Sequence, residues 1–335
     1  MTDKPTVVVD PHFRRMDEIF STADRDRLAN TVDVVWGRDE PMPIEAARAA
    51  LVGARAVVCS GWRYGPVPES VRAILDVSGA FPGGLDYDDC FRRGVRVLSA
   101  APAFGPQVAE MALGLALAVG REIVDGDTAM RAGQEKWLHA GNAASFQLFD
   151  QPVGMIGFGS IGRALRSLLA PFGCQISVYD PWLGDGYLRS QGIQPVGLRQ
   201  LLRSSRVIFV LAAPTMENGA LLSRELLEEI ESGSTLVLIS RAHVVDFAAL
   251  TDLLLAGRFR AGIDVFPEEP LPADHPIRSA PGTVLSAHRA GSVQAGLLEI
   301  GRMVVDDLEA IAADLPPQLM QQAQPELINR LVQHR

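Results

Sequence analysis

The stretch Pro152-Val153-Gly154-Met155-Ile156-Gly157-Phe158-Gly159-Ser160-Ile161-Gly162-Arg163-Ala164-Leu165 decides the fold. A short apolar run, PVGMI, ends in the six residues from Gly157 to Gly162, and the helical pattern RALRSLLAPFG begins directly after it. In that strand-turn-helix setting the three glycines permit a tight turn, close approach of backbone to a pyrophosphate, and packing of helix on strand. The helix N-terminus adds a partial positive charge. Asp180 closes the next apolar run, QISVYD, eighteen residues past Gly162, where a carboxylate hydrogen-bonds the adenosine ribose hydroxyls. With Pro181 and Trp182 following it and no arginine nearby, that acid repels a 2′-phosphate and favours NAD over NADP.

Outward from this unit the chain keeps alternating. RVIFVLA, STLVLIS, RAGIDV and TVLSA are separated by helical patterns near Leu198 to Arg203, Ser223 to Glu229 and Asp246 to Leu255. Upstream, TVVVD, VDVVW, RAVVCS, LDVSGAF and GVRVLSA alternate with polar or helical segments, among them PIEAARAAL and PVPESVRAIL. Alternation of this kind predicts βα units on parallel sheets. A long apolar helical stretch from Pro106 to Arg131 and an aperiodic segment from Gly133 to Ala144 join the two series, and a last helix is expected over Ser292 to Ala313. At 335 residues the chain exceeds a single core of about 150 residues. The expected fold is α/β, two doubly wound parallel-sheet domains with a Rossmann domain over 120–291 inserted into a flavodoxin-like domain made of 1–119 and 292–335.

Composition narrows the partners. Hydrophobic residues are 47% of the chain and the net charge is -9, so sizeable cores are expected and nucleic acid is disfavoured. Of 31 basic residues only Lys4 and Lys136 are lysines, leaving guanidinium groups to recognise small carboxylates or phosphates. Cys59, Cys90 and Cys174 are odd in number and dispersed, which supports neither a disulfide framework nor a metal site. The run MTDKPTVVVD has no leader pattern, and the apolar stretch Met111 to Val119 is too short to span a bilayer, so a cytoplasmic protein without membrane partners is expected.

Three reactive side chains follow predicted strands: Arg241 after LVLIS, Glu269 after AGIDVFPE, and His288 after TVLSA. In a doubly wound sheet all three face the crevice of the Gly-rich turn. An arginine, an acid and a histidine beside a dinucleotide suit hydride transfer: the cation holds a carboxylate and polarises a carbonyl, and the histidine exchanges a proton with the resulting alkoxide.

These segments strongly resemble the D-isomer-specific 2-hydroxyacid dehydrogenases. The carriers are GPQVAEMALGLAL at 105–117, GFGSIGRAL at 157–165, VYDP at 178–181, ISRAHVVDFAAL at 239–250, AGIDVFPEEPLP at 261–272 and SAHRAGS at 286–292. The resemblance implies NAD-dependent interconversion of a 2-hydroxy acid and a 2-keto acid, with Arg241 on the substrate, His288 as acid/base and Glu269 paired with it. A carboxylate in hydrogen-bond reach favours the imidazolium form. Asp264 would face the nicotinamide carboxamide. Phe158, Ser160, Ile161, Ala213, Pro214 and Ser240 complete the expected cofactor contacts. On the substrate side, Arg63 is expected to meet a distal polar group with Trp62 or Tyr64 as a wall, and Gly83 and Gly84 to offer backbone amides. A homodimer through the long helix and the arm carrying Trp137 is implied too. Ala242 stands where the family usually has glycine, Ala287 where it has proline, and Pro82 replaces a glycine. A short-chain dehydrogenase is excluded, since Lys136 has Ala132 rather than tyrosine four residues before it. The alternative of another class is a non-enzymatic NAD sensor like the C-terminal-binding corepressors.

Overall fold

The computed structural model describes residues 4–213 and 219–331, and the chain divides into two compact units, Met1–Phe104 with Ser292–Arg335, and Gly105–Gly291. The first unit contains β1 (Thr6–Asp10), β2 (Asp33–Trp36), β3 (Ala56–Cys59), β4 (Ala73–Asp76) and β5 (Arg96–Ser99). The second contains β6 (Pro152–Ile156), β7 (Gln175–Tyr179), β8 (Gln194–Pro195), β9 (Val207–Val210), β10 (Thr235–Leu238), β11 (Arg260–Ile263) and β12 (Thr283–Leu285), and β13 (Gln321–Gln322) returns to the first sheet.

The strand orders are β13-β5-β4-β3-β1-β2 and β12-β11-β10-β9-β6-β7-β8. All pairs are parallel except β13 on β5. The first order is flavodoxin-like and the second is that of a Rossmann sheet. Central strands are covered on both faces, which is why AVVC, AILD, VIFV and TLVL are buried at every position. Phe209, Phe158 and Met155 are among the largest fully buried side chains, and truncating a buried Phe costs about 3–5 kcal/mol.

Three boundaries differ from the sequence reading. The division falls after Phe104, so the helix Gly105–Gly120 belongs with the second unit rather than the first. Close approach explains this: a Cβ on Gly105 would lie 3.3 Å from the Ser160 carbonyl oxygen, and one on Gly262 of β11 would lie 2.8 Å from Leu115 Cβ. The expected single helix to Arg131 is broken, because Glu122 adopts φ +52 and a separate helix, Ile123–Ala132, starts beyond it. PVPESVRAIL is not a helix; Pro66 and Pro68 lack the N–H a helix needs, and its last residues, AIL, open β4.

A short 3-10 turn extends the long helix into a run, Ala101–Gly120, that is long and apolar enough to cross a membrane, with half of it buried inside the protein. The run is longer than the nine apolar residues from Met111 to Val119 suggest.

Candidate functional site

The site is built where β6 turns back toward its neighbours. β6 pairs β7 on one side and β9 on the other, so the strand order reverses there and opens a crevice at the carboxyl ends. Gly157 has φ +93, and a Cβ on it would come within 2.9 Å of the Ala212 backbone after β9. Phe158 fills the core and Gly162 packs beneath it, with a built Cβ 3.2 Å from the Gly157 carbonyl oxygen. Gly159 differs, because space for a Cβ is open. It caps the helix Ser160–Leu169 with no side chain bonded to the cap, so amides at Ser160 and Ile161 border an open cradle suited to an anion.

Asp180 directly follows β7, within reach of this turn. Its Oδ2 accepts the Phe158 N–H at 2.8 Å and its Oδ1 accepts the Trp182 N–H at 2.9 Å. Each oxygen keeps a second lone pair, so the same carboxylate can brace the turn and accept a ribose hydroxyl. Ala213 follows β9 on the same edge, and Pro214 lies outside the described residues. The glycine pair gives a direct check of the cradle. Gly159→Ala is expected to weaken NADH binding about tenfold in a fluorescence titration without lowering the melting temperature, whereas Gly157→Ala, strained by its positive φ, lowers both.

Beyond β10, β11 and β12 the chain delivers the reactive groups to that edge. Ser240 is buried, and Arg241 leaves β10 extended, φ -150, before the 3-10 turn Ala242–Val244. Ala242 is buried in the apolar core and is absent from the positive-φ residues, so alanine costs nothing where the family usually has glycine. Arg241 Nη1 donates to the Ser240 carbonyl at 2.7 Å. Enclosing protein lowers its pKa below the ordinary arginine value, and the Glu269 charge opposes that shift.

Glu269 and His288 meet directly, with Oε2 2.6 Å from Nδ1. Glu269 Oε1 accepts the Phe266 N–H at 3.0 Å. Burial pushes the carboxyl pKa up, but the hydrogen bonds from His288 and Phe266 and the charges of His288 and Arg241 outweigh it, holding Glu269 below the usual carboxylate range. The imidazole is accessible, at 43% of its side-chain surface. With Nδ1 committed to Glu269, Nε2 is left to face a reactant.

His288 adopts φ +50, and Asp264 explains how that conformation is held. The Asp264 carbonyl accepts the His288 N–H at 2.7 Å, and its two carboxylate oxygens accept the Arg289 and Ala290 N–H groups at 3.0 and 3.1 Å. Asp264 is 0% exposed. A buried carboxylate needs hydrogen-bond donors, and here they are the amides that shape the histidine turn.

The substrate-side candidates lie in the other unit. Arg63 donates to Asp10 Oδ2 at 2.7 Å and to the Met42 carbonyl at 2.6 Å. Asp10 is 2% exposed and also takes the Tyr64 hydroxyl at 2.6 Å. Arg63 therefore pairs with a buried carboxylate through Nη2, while 41% of its side chain stays exposed. Trp62 and Tyr64 are interior, their rings edge to face at 5.0 Å, and line the core rather than a cleft. Gly84 has φ +78 and is exposed, Gly83 is half-buried, and the Pro82 carbonyl accepts the Tyr87 hydroxyl. Asp10 escaped the sequence reading, although a charge closing the apolar run TVVVD was its signal. Among the described residues no group of three His, Cys, Asp or Glu could hold a metal ion.

A Rossmann order, an open glycine cradle and an acid at the end of β7 define a dinucleotide-binding α/β protein. The family model for the D-isomer specific 2-hydroxyacid dehydrogenase NAD binding domain matches residues 113–290. D-3-phosphoglycerate dehydrogenase from Mycobacterium leprae (strain TN) is 31% identical over 249 residues, 73% of this chain and 46% of that protein. The chain thus spans less than half the length of that relative. 2-Ketogluconate reductase from Gluconobacter oxydans (strain 621H) is 30% identical over 72% of this chain and 76% of its own. A crystal structure of a phosphoglycerate oxidoreductase from Rhizobium etli superposes with TM-score 0.85 at 35% identity, covering 96% of this chain and 99% of that one. The chain belongs to the D-isomer specific 2-hydroxyacid dehydrogenase family.

Proposed function

We propose that the protein is an NAD-dependent oxidoreductase interconverting a D-2-hydroxy acid and the matching 2-keto acid. The observation that carries this reading is the 2.6 Å Glu269–His288 contact, with the Arg241 charge felt by the same carboxylate, on the edge that bears the glycine cradle. Gly157 to Gly162 and Asp180 would hold the dinucleotide, which supplies the hydride when bound. Arg241 would bind the substrate carboxylate and draw electron density from the carbonyl. His288 Nε2 would give its proton to the carbonyl oxygen as the hydride reaches carbon, and would take the hydroxyl proton in the reverse direction. Glu269, ionised and bonded to Nδ1, would hold the ring with Nε2 left for the reactant.

The test is oxidation of NADH across glyoxylate, hydroxypyruvate, pyruvate, 3-phosphonooxypyruvate and larger branched or aromatic 2-keto acids. Turnover with at least one supports the reading, and none across the panel overturns it. The arm following the long helix exposes Ile123, Met130, Trp137 and Leu138, the last at 84%. Apolar surface of this kind marks an association site, and the occupant we assign is a second copy of the chain. Light scattering at micromolar concentration is expected to give twice the 36.1 kDa chain mass, and a monomer would remove the assignment.

A further inference from the structure

The amino edge of the second sheet, opposite the glycine cradle, gathers two arginines around one ring. Arg206 immediately precedes β9 and Arg260 opens β11, with β10 between those strands. Their guanidinium carbons lie 4.4 and 5.7 Å from the centroid of Phe146. Glycines make room for both: a Cβ on Gly233 would lie 3.0 Å from Arg206 Nη1, and one on Gly282 would lie 2.9 Å from Arg260 Cγ. Arg260 is fastened in place, only 13% of its side chain exposed, and donates to the Ala144 carbonyl at 2.8 Å and the Val119 carbonyl at 3.3 Å. Arg206 is half-buried and, among the described residues, has neither a hydrogen bond nor an ion pair.

Acid is scarce here. Among the described residues Glu122 is the one carboxylate in ion-pair range of either arginine, 3.9 Å from Arg260 Nη1, and its other oxygen already accepts the Ser145 hydroxyl at 2.8 Å. At the start of the intervening β10 the Thr235 hydroxyl is buried with no hydrogen-bond partner. Donors and positive charge therefore exceed acceptors and negative charge at this edge. Burial lowers the Arg206 pKa and the Arg260 charge lowers it further, the reverse of what a neighbouring acid does. The face of Phe146 attracts each guanidinium and so positions the pair, but it cancels none of their charge. The whole chain carries a net charge of -9, which repels an extended polyanion and leaves a small one as the complement of this local excess.

We propose that Arg206 and Arg260 form a second anion site, on the edge away from the dinucleotide cradle, for a single phosphate group, either free or at the end of a phosphate monoester. Two planar guanidinium forks match the oxygens of a doubly charged phosphate, which relieves the repulsion between them. An occupied pair also clamps Phe146, whose N–H donates to the Gly120 carbonyl at the end of the long helix. Occupancy therefore stiffens the place where the chain returns from the arm to the sheet, and the Phe146 amide should exchange its hydrogen more slowly when phosphate is bound.

Calorimetry is run with NADH saturating, so that the cradle is filled and does not compete for the probe. The wild-type protein is expected to bind one equivalent of inorganic phosphate or of glycerol 3-phosphate, and the tighter of the two identifies the group as free or esterified. Affinity should fall about tenfold or more in Arg206→Gln and in Arg260→Gln. Arg206→Gln removes no hydrogen bond, so in anion-free buffer it should keep the melting temperature and NADH affinity of the wild type, while losing the rise in melting temperature that phosphate gives the wild type. No binding of either probe by the NADH-saturated wild type overturns the site. Equal affinity in Arg206→Gln, or a phosphate-dependent melting shift that persists in it, does the same, and Arg206→Gln decides alone if Arg260→Gln does not fold.

Discussion

His288→Gln is expected to lower kcat for 2-keto acid reduction by about a hundredfold to ten-thousandfold, the range that a positioned proton donor supplies. NADH affinity, read by fluorescence, should be unchanged, because the cradle from Gly157 to Gly162 lies on another loop of the unit. Glutamine keeps a hydrogen-bonding side chain but cannot release a proton, so the substitution separates chemistry from packing. Glu269→Gln gives the companion result. The depressed Glu269 pKa keeps the carboxylate ionised at neutral pH, as an acceptor that holds the His288 ring by Nδ1. Removing that charge should loosen the hold on the imidazole and lower kcat about tenfold or more, with NADH affinity unchanged. If Glu269→Gln left kcat in place, the pair would be structural only.

How far the sequence carried depended on whether a feature is local. The cradle is legible because each glycine answers a local demand: positive φ at 157, packing at 162, open approach at 159. The three reactive groups are legible because parallel strands put their following residues on one edge, so position after a strand is enough. Partnership across the sheet is not local. Arg63 reads as a free cation in an aromatic loop until Asp10, 53 positions earlier, is brought beside it by the pairing of β1 with β3. Asp264 reads as a ligand-facing acid until the turn at His288 to Ala290 closes on it. Both partnerships have one cause: strand pairing and turn closure bring distant backbone and side-chain groups onto a charge at a strand end, and spacing alone does not reveal them.

The break at Glu122 follows the same division. The pattern from Pro106 to Arg131 is helical on both sides, and what ends the first helix is a left-handed residue. Phe146 returns to donate its N–H to the Gly120 carbonyl, and its ring would sit 3.0 Å from a Cβ there. That contact joins residues 26 apart and leaves no trace in the helical period.

Arg241 carries the second large effect. Its guanidinium has one modest bond, to the Ser240 carbonyl, and no acid in the unit forms an ion pair with it among the described residues, although the Glu269 charge acts on it. A cation so placed at the mouth of the crevice is free to grip a carboxylate in two-pronged fashion. Each hydrogen bond to a charged group contributes about 1.5–3 kcal/mol, so losing both prongs should reduce kcat/KM about a hundredfold to ten-thousandfold. Arg241→Ala should show that full loss, through a raised KM and a lowered kcat together, because the same cation also polarises the carbonyl. Arg241→Lys restores charge without the planar fork, and should recover only part of the loss. If the lysine variant matched wild type, a bidentate grip would be wrong and a simple positive field would suffice. If alanine left kcat/KM intact, the carboxylate would have to be held by another of the arginines, and the site would need to be redrawn around it.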